Sequence, residues 1–559
     1  MSARRFAALL LALVALGLTL RTIYPAADPP WHSTVGVVWH DEGAWTHNAR
    51  NKALFGVWRT DEWNPVYIAP VFTAFEYASF EAFGVGVRQA RLVSAVAGTM
   101  SVLLMALGVR RVAGPLAGLL AAALLATNYV YVMYDRAALM EGLMTAFLVA
   151  SWYCTTRAER QPAWGAAAGI SAALAFFTKA AAAFYVAALV LAVVSPFVTQ
   201  VASAFRRKLL WTLAGLAIAF ALIAAFFVLP HWADYQFYNW QMSVTRKPSY
   251  DAASLITRVT WFPILHDTFS RMWPALCLGM FGAWSIVPRW RAASDGERLL
   301  VLWVAVGSLE LLIHDVGNER RFIFLIPALV ALASLVIARG SLLAGEAAAV
   351  GRSRLMLALP VLLYAAYVLL GPLTRLAYLD QVHASVLKMP VRLAAAGAMI
   401  LTAAIIAAWP RLSHSLAAVR WGARTAAIAA AAAMGWNLYQ FAGWAASRTY
   451  KNYETSRALG AVLPPETLVQ GKLANGLALE NRIRPLFIGH EFGNYKDQND
   501  RWDVRYILTY TDPQLGHEGD QIVPVLAAYP GWRIIMTFDV AETASGHDKA
   551  ALIEKRARH

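Results

Sequence analysis

The sequence predicts an α-helical polytopic membrane protein that carries a small α/β soluble domain at its C-terminal end. Three observations predict it. Hydrophobic residues fill 59% of the 559 positions and charged ones only 15%, with a mean hydropathy of +0.48, whereas a soluble domain is roughly 45–50% apolar. The apolar residues fall in about thirteen runs long enough, or nearly so, to cross a bilayer as helices. After Trp444 these runs stop, and shorter segments alternate in the manner of helices and strands.

The first run, Met1 to Leu20, opens with Arg4 and Arg5 and is followed by no convincing small-residue cleavage site, which favours a membrane helix over a cleaved signal. Six further spans are predicted from Leu92 to Val109, Val112 to Met133, Ala137 to Tyr153, Ala163 to Phe177, Ala180 to Val198 and Leu209 to Leu229. The last six run from Met272 to Val287, Leu299 to Ile313, Phe322 to Ile337, Leu355 to Leu370, Leu393 to Trp409 and Ala426 to Trp444. Between Tyr24 and Arg91 the segment Ile68 to Phe83 is apolar and aromatic but interrupted by Glu76 and Glu81, the pattern of a helix lying in the membrane interface. The stretch from His231 to Arg271 mixes tryptophan and tyrosine with arginine and lysine and suits headgroup level.

The C-terminal segment reads as a helix from Tyr453 to Leu463 ending at Pro464-Pro465, a strand from Thr467 to Gly471 and a helix from Leu473 to Asn481. Strands follow from Val504 to Thr509 and from Trp532 to Val540. The division is therefore a membrane domain over 1–444, with outer loops 25–91 and 231–271, and an outer domain over 445–559.

The net charge of +15 would suit nucleic acid, but the basic residues sit in short clusters between apolar runs, not along one face. Alternating the spans brings Arg4/Arg5, Arg110/Arg111, Arg157/Arg160, Arg206 to Lys208, Arg289/Arg291, Arg352/Arg354 and Arg411/Arg420/Arg424 to one side, which is then cytoplasmic. Nucleic-acid binding is set aside on that ground. An odd number of spans puts the N-terminus in the cytoplasm and the C-terminal domain outside. The two cysteines, Cys154 and Cys277, lie inside apolar runs and read as core residues.

With this topology, the ionisable residues that have no topological duty collect at outer span ends: Asp41 and Glu42; Asp135, Arg136 and Glu141; Lys179; and Glu319, Arg320 and Arg321. A basic pair on the outer side runs against the charge rule and points to an anionic partner. Arginine forks suit phosphate oxygens and lysine supplies a point charge, so a lipid phosphate is a fitting ligand. The plainer alternatives are an Arg136–Glu141 ion pair, a Lys179 that snorkels to the interface, and a solvated Asp41-Glu42 loop. His32, His40 and His47 with Asp41 and Glu42 could supply metal ligands, but their spacing is not diagnostic, so a divalent metal such as zinc or manganese stays open.

These residues resemble motifs of the GT-C superfamily of membrane glycosyltransferases, in particular the protein mannosyltransferases and the aminoarabinose transferase that modifies lipid A. The likeness is carried by Asp41-Glu42-Gly43-Ala44-Trp45 with Ala49-Arg50-Asn51, by Arg91-Leu92-Val93-Ser94 leading into a span, and by Arg136 through Glu141. It continues in Phe177-Thr178-Lys179 and in Arg320-Arg321-Phe322 with Pro327. Two departures stand out: Ala180 follows Lys179 where relatives have glycine or proline, and Glu141 stands where aspartate is commoner.

The resemblance implies a GT-C fold in a bacterial inner membrane and an inverting hexosyl- or pentosyltransferase. It would act at the outer, periplasmic face on a polyprenyl-phosphate-linked sugar, with a lipid, glycan or protein as acceptor. Asp41 and Glu42 would be catalytic, Asp41 as the base. Lys179, Arg320, Arg321 and Arg136 would hold the donor phosphate. Glu141, Asp135 and His47 would contact sugar or acceptor, and His40, Asp41 and Glu42 are the metal candidates. Two other readings share many of these features: a lipid-linked saccharide transporter or flippase, and a polysaccharide polymerase or ligase. A transporter should spread its charges along a path through the bilayer, whereas these gather at one face.

Overall fold

The computed structural model describes residues 1–30, 39–194, 203–240, 261–314, 319–340, 420–487, 501–512, 519–541 and 548–556. The predicted spans Leu355 to Leu370 and Leu393 to Trp409 lie outside the described residues, as does His32.

Helix α1 (Ala3–Thr22) is the first apolar run. Leu9 and Leu11 are exposed on it and Phe6 and Leu10 are buried, the division of a helix with one lipid face and one protein face. Helix α2 (His40–Phe55) and helix α3 (Pro70–Phe83) follow, α3 being the predicted interfacial segment. Helix α4 (Val87–Thr127) joins two helical segments in one run, broken at Gly114, whose φ of 87° only glycine adopts freely, with Pro115 opening the second half.

The span predicted from Val112 to Met133 is therefore shorter than expected. It ends at Asn128, whose side chain accepts the Tyr131 amide and caps a separate short helix, α5 (Tyr129–Asp135). Helix α6 (Met140–Ala158) then leaves at 115° to α5, so the predicted start at Ala137 falls in the break between them.

Helices α7 (Trp164–Thr178) and α8 (Ala183–Val194) flank an extended Lys179 and a single 3₁₀ turn at Ala180–Ala182. Helix α7 packs on the helix Ser203–Ile223 so closely that a Cβ on Gly169 would sit 2.2 Å from the Thr212 carbonyl oxygen. Small residues allow such backbone approach where lipid removes the hydrophobic drive between helices. Further helices run over Trp261–Ile286, Asp295–His314, Ile326–Arg339 and Ala423–Ala446. Four helices, or five if the bent α5–α6 pair is one span, are long and apolar enough to cross a membrane among the described residues. The protein is an integral membrane protein.

Beyond Ser447 a helix at Lys451–Val462 and a five-stranded sheet form a separate core. The strands are β1 (Leu468–Gln470), β2 (Arg484–Leu486), β3 (Tyr506–Tyr510), β4 (Arg533–Asp539) and β5 (Lys549–Glu554), in the order β2-β1-β3-β5-β4. Strands β1, β2 and β3 pair in parallel, while β5 runs antiparallel to β3 and β4. The helix expected from Leu473 to Asn481 shortens to Lys472–Gly476. Strands β2 and β5 and the helix Gly519–Ala527 were not anticipated.

This core is stitched to the segments around Asp28, α2 and the start of α4 by complementary caps. The Asp28 carboxylate accepts the amides of Lys451 and Asn452, capping the helix Lys451–Val462 from a distant part of the chain. Glu480 returns the arrangement by accepting the Val87 amide at the start of α4 (2.8 Å). Arg50 on α2 donates to the carbonyls of Ala478, Asn481 and Ile483, each at 3.0 Å. A Cβ on Gly43 would lie 1.9 Å from the Asn475 carbonyl oxygen, so α2 meets this core backbone to backbone.

Candidate active site

Asp41 and Glu42 occupy the first turn of α2, where the positive end of the helix dipole favours carboxylates. Consecutive helical residues point about 100° apart, and the two acids diverge accordingly. Glu42 turns to Arg91, which donates through Nε to Oε1 and through Nη2 to Oε2, both at 2.7 Å. The Ala138 amide in the α5–α6 break donates to the same Oε1 at 2.8 Å. Arg91 also donates to the carbonyls of Pro25 and Ala27. Both side chains are buried. With its lone pairs so engaged, Glu42 is a positioning residue: it ties α2, α4 and the α5–α6 break together. Glu42, expected to be catalytic with Asp41, thus has three of its acceptor sites engaged by Arg91 and Ala138.

Asp41 turns to a different set. Its Oδ2 accepts from Arg320 Nη1 at 2.6 Å, and Arg320 Nε lies 3.0 Å from Glu141 Oε1. Lys179 Nζ closes on that same Glu141 oxygen at 2.5 Å. Arg321 lies within electrostatic reach of Lys179. Four separated stretches therefore converge: the start of α2, the start of α6, the extended residue after α7, and the head of the apolar helix Arg320–Arg339. Two cations, Arg320 and Lys179, thus meet the two carboxylates of Asp41 and Glu141, with Arg321 nearby. Asp41, Lys179 and Arg320 keep 16%, 17% and 12% of their side-chain surface, enough for a ligand to reach, while Glu141 keeps 1%.

Glu141 has a second feature. Its Oε2 is buried without a hydrogen-bond partner, and so is the Thr145 hydroxyl one turn along α6. Buried polar atoms carry a desolvation cost of roughly 1–3 kcal/mol when unpaired.

Other expected site residues are placed elsewhere. Arg136 does not pair with Glu141; it donates to the carbonyls of Leu20 and Tyr24 and lies 4.3 Å over the Trp444 ring. Its helix-end position aims it at the end of α1. Asp135 accepts from Arg21 Nε at 2.8 Å, with both side chains fully buried. His47 meets Asp61 at 2.8 Å, and the other Asp61 oxygen accepts the Phe487 amide. His40 lies 3.6 Å from Asp41. No group of three or more His, Cys, Asp or Glu side chains able to hold a metal occurs among the described residues. Glu42 facing Arg91 and Asp41 facing Arg320 do not fit a divalent ion held with His40.

Sequence reasoning did not single out Arg91, Arg21, Asp28 or Asp61 for these duties. The available signal was an arginine at the edge of an apolar run, as at Arg21 and Arg91, which demands a partner.

Residues 67–229 match the family described as dolichyl-phosphate-mannose-protein mannosyltransferase. This match and the fold liken the chain to the membrane glycosyltransferases of the GT-C superfamily. Over its whole length the fold is similar to the crystal structures of ArnT from Cupriavidus metallidurans. With the structure bound to undecaprenyl phosphate it shares 16% identity at a TM-score of 0.56, covering 100% of this chain and 99% of that one. With the apo structure the identity is again 16%, the TM-score 0.57 and the coverage the same. No curated protein sequence matches the chain.

Proposed function

We propose that this protein transfers a sugar from a polyprenyl-phosphate-linked donor to a hydroxyl of a lipid, glycan or protein acceptor, at the outer face of a bacterial inner membrane. The observation that carries the reading is the relay Asp41–Arg320–Glu141–Lys179, in which one carboxylate, Asp41, and two cations, Arg320 and Lys179, remain accessible. A neighbour of the same fold is bound to undecaprenyl phosphate, which supports the donor class.

The acceptor oxygen attacks the anomeric carbon on the face opposite the phosphate, and the configuration inverts. As the new glycosidic bond forms, the hydroxyl proton passes to Asp41, general-base help worth about 10²–10⁴-fold. The bond from the anomeric carbon to the phosphate oxygen breaks, and its electron pair stays on the phosphate. Phosphate is already a good leaving group, so the donor side needs cations, not an acid: Lys179, Arg320 and Arg321 fill that role. Arg320 has to loosen from Asp41 as the phosphate arrives, which would leave the carboxylate free to take the proton. Glu141 keeps Lys179 and Arg320 in place and offers Oε2 to a sugar hydroxyl.

In this reading about thirteen spans form a domain over 1–444 with the N-terminus in the cytoplasm, and residues 445–559 form a soluble α/β domain on the periplasmic side. The test is to incubate purified protein with a panel of polyprenyl-phosphate sugars and measure free polyprenyl phosphate. Release with one donor is expected. Absence of turnover with all of them, together with lipid-dependent translocation in vesicles, would overturn the transferase in favour of a transporter.

A further inference from the structure

A second cationic feature, distinct in its residues from the Asp41 relay, lies at the seam between the outer end of α4 and the C-terminal core. A cleft of about 370 Å³ there is lined by Arg457, Gly460, Leu463, Glu480, Asn481 and Arg482, among others. On one flank Arg88 and Arg457 both address the Tyr453 ring, each guanidinium 5.8 Å from its centroid. Arg482 borders the cleft and donates to the Leu54 carbonyl at 3.3 Å. The three arginines are exposed, and none makes an ion pair among the described residues.

The lining contains one carboxylate, Glu480, and its Oε1 is already engaged by the Val87 amide. Behind the seam the buried Arg50 is pushed down to about 9, first by burial and then by the charge of Arg482. Positive charge here is in surplus.

The depth of the cleft identifies the source of the counter-charge. Glu480 caps the first residue of α4, Arg88 is the second, and the apolar run begins at Leu92, about one helical turn further in. Phe75 and Phe83 on the adjoining α3 are exposed, as side chains facing a lipid phase would be. The cleft therefore sits at headgroup depth. Arginines on the outer side run against the charge bias of membrane proteins and call for a stabilising anion.

We propose that this cleft binds the phosphate of an anionic lipid headgroup at the outer membrane surface. Arginine forks match phosphate oxygens bidentately. Each guanidinium near such a surface is worth roughly fivefold in lipid affinity.

The test is native mass spectrometry of the full-length protein with phosphatidylglycerol, phosphatidylcholine and, separately, inorganic phosphate. Phosphatidylglycerol should be retained in preference to phosphatidylcholine, and R457A/R482A should weaken that retention roughly 25-fold, at about fivefold per guanidinium. Arg88→Ala alone should cost roughly fivefold, which separates lost charge from lost fold. Arg505→Ala, at an exposed arginine paired with Glu554 on the sheet, should change nothing. Equal retention of both lipids, or full retention in R457A/R482A, overturns the site. Inorganic phosphate binding as tightly as phosphatidylglycerol overturns the headgroup as its ligand.

Discussion

Asp41 and Glu42 are consecutive acids on one helical turn, and their surroundings give them opposite duties. Glu42 is held by a two-pronged arginine and a backbone amide, whereas Asp41 shares an accessible arginine with a second carboxylate. A carboxylate whose oxygens are saturated by the fold holds that fold; one whose counter-ion can be drawn away by a ligand is able to take a proton. The difference lies in the partners, not in the acid.

Five substitutions break or sharpen this contrast. Asp41→Asn should lower transfer by about 10²–10⁴-fold while leaving melting temperature and donor binding near wild type; a fully active variant removes Asp41 from the chemistry. Arg91→Ala strands the buried Glu42 and should destabilise the protein by about 3–5 kcal/mol, seen as lost abundance and a lower melting temperature. Pairing it with Glu42→Ala should cost less than the sum of the two, because the stranded charge is gone. If Arg91→Ala melted like wild type, the assignment of Glu42 to structure would fail.

Lys179→Ala should weaken donor binding by roughly 10–100-fold, the loss of one charge-assisted contact of about 1.5–3 kcal/mol. An unchanged donor affinity in a direct binding assay would take Lys179 out of the phosphate set.

The smallest effect concerns Glu76 on α3, whose two carboxylate oxygens are buried without hydrogen-bond partners. Burial, and then the nearby negative charge of Glu42, push it well above its ordinary 4.5. Because the folded protein holds this proton more tightly than the unfolded chain, the contribution to stability is full below about 4.5 and is lost as pH rises through the raised value. Each tenfold difference in proton affinity is worth about 1.4 kcal/mol. Glu76→Gln should therefore flatten the fall of melting temperature toward alkaline pH. The same slope in wild type and variant would mean that another group is responsible.

Legibility in the sequence divides along physical lines. Apolar helices such as Ala3–Thr22 and Arg207–Val228 announce themselves because lipid imposes a long apolar run on any helix that faces it. Helix α2 was hidden, since Thr46, His47, Asn48, Arg50 and Asn51 show no apolar face. All five are buried, and His47, Asn48 and Asn51 find partners in residues 58–66 while Arg50 reaches the carbonyls of 478–483. Strand β2, three residues long, has too little pattern to read alone and exists through its pairing with β1. Arg136 and Glu141 are five residues apart and looked like partners, but the 115° bend between α5 and α6 sends one to α1 and the other to Lys179.

Chemistry and membrane residence were thus determined by the chain itself, through residue type: apolar runs require a bilayer, and unmatched acids and arginines at their ends require partners. Which partner each would take was decided only by the tertiary structure. Ion pairs and hydrogen bonds act over a few ångströms, and distances on that scale between residues 41, 141, 179 and 320 are set by how the helices pack.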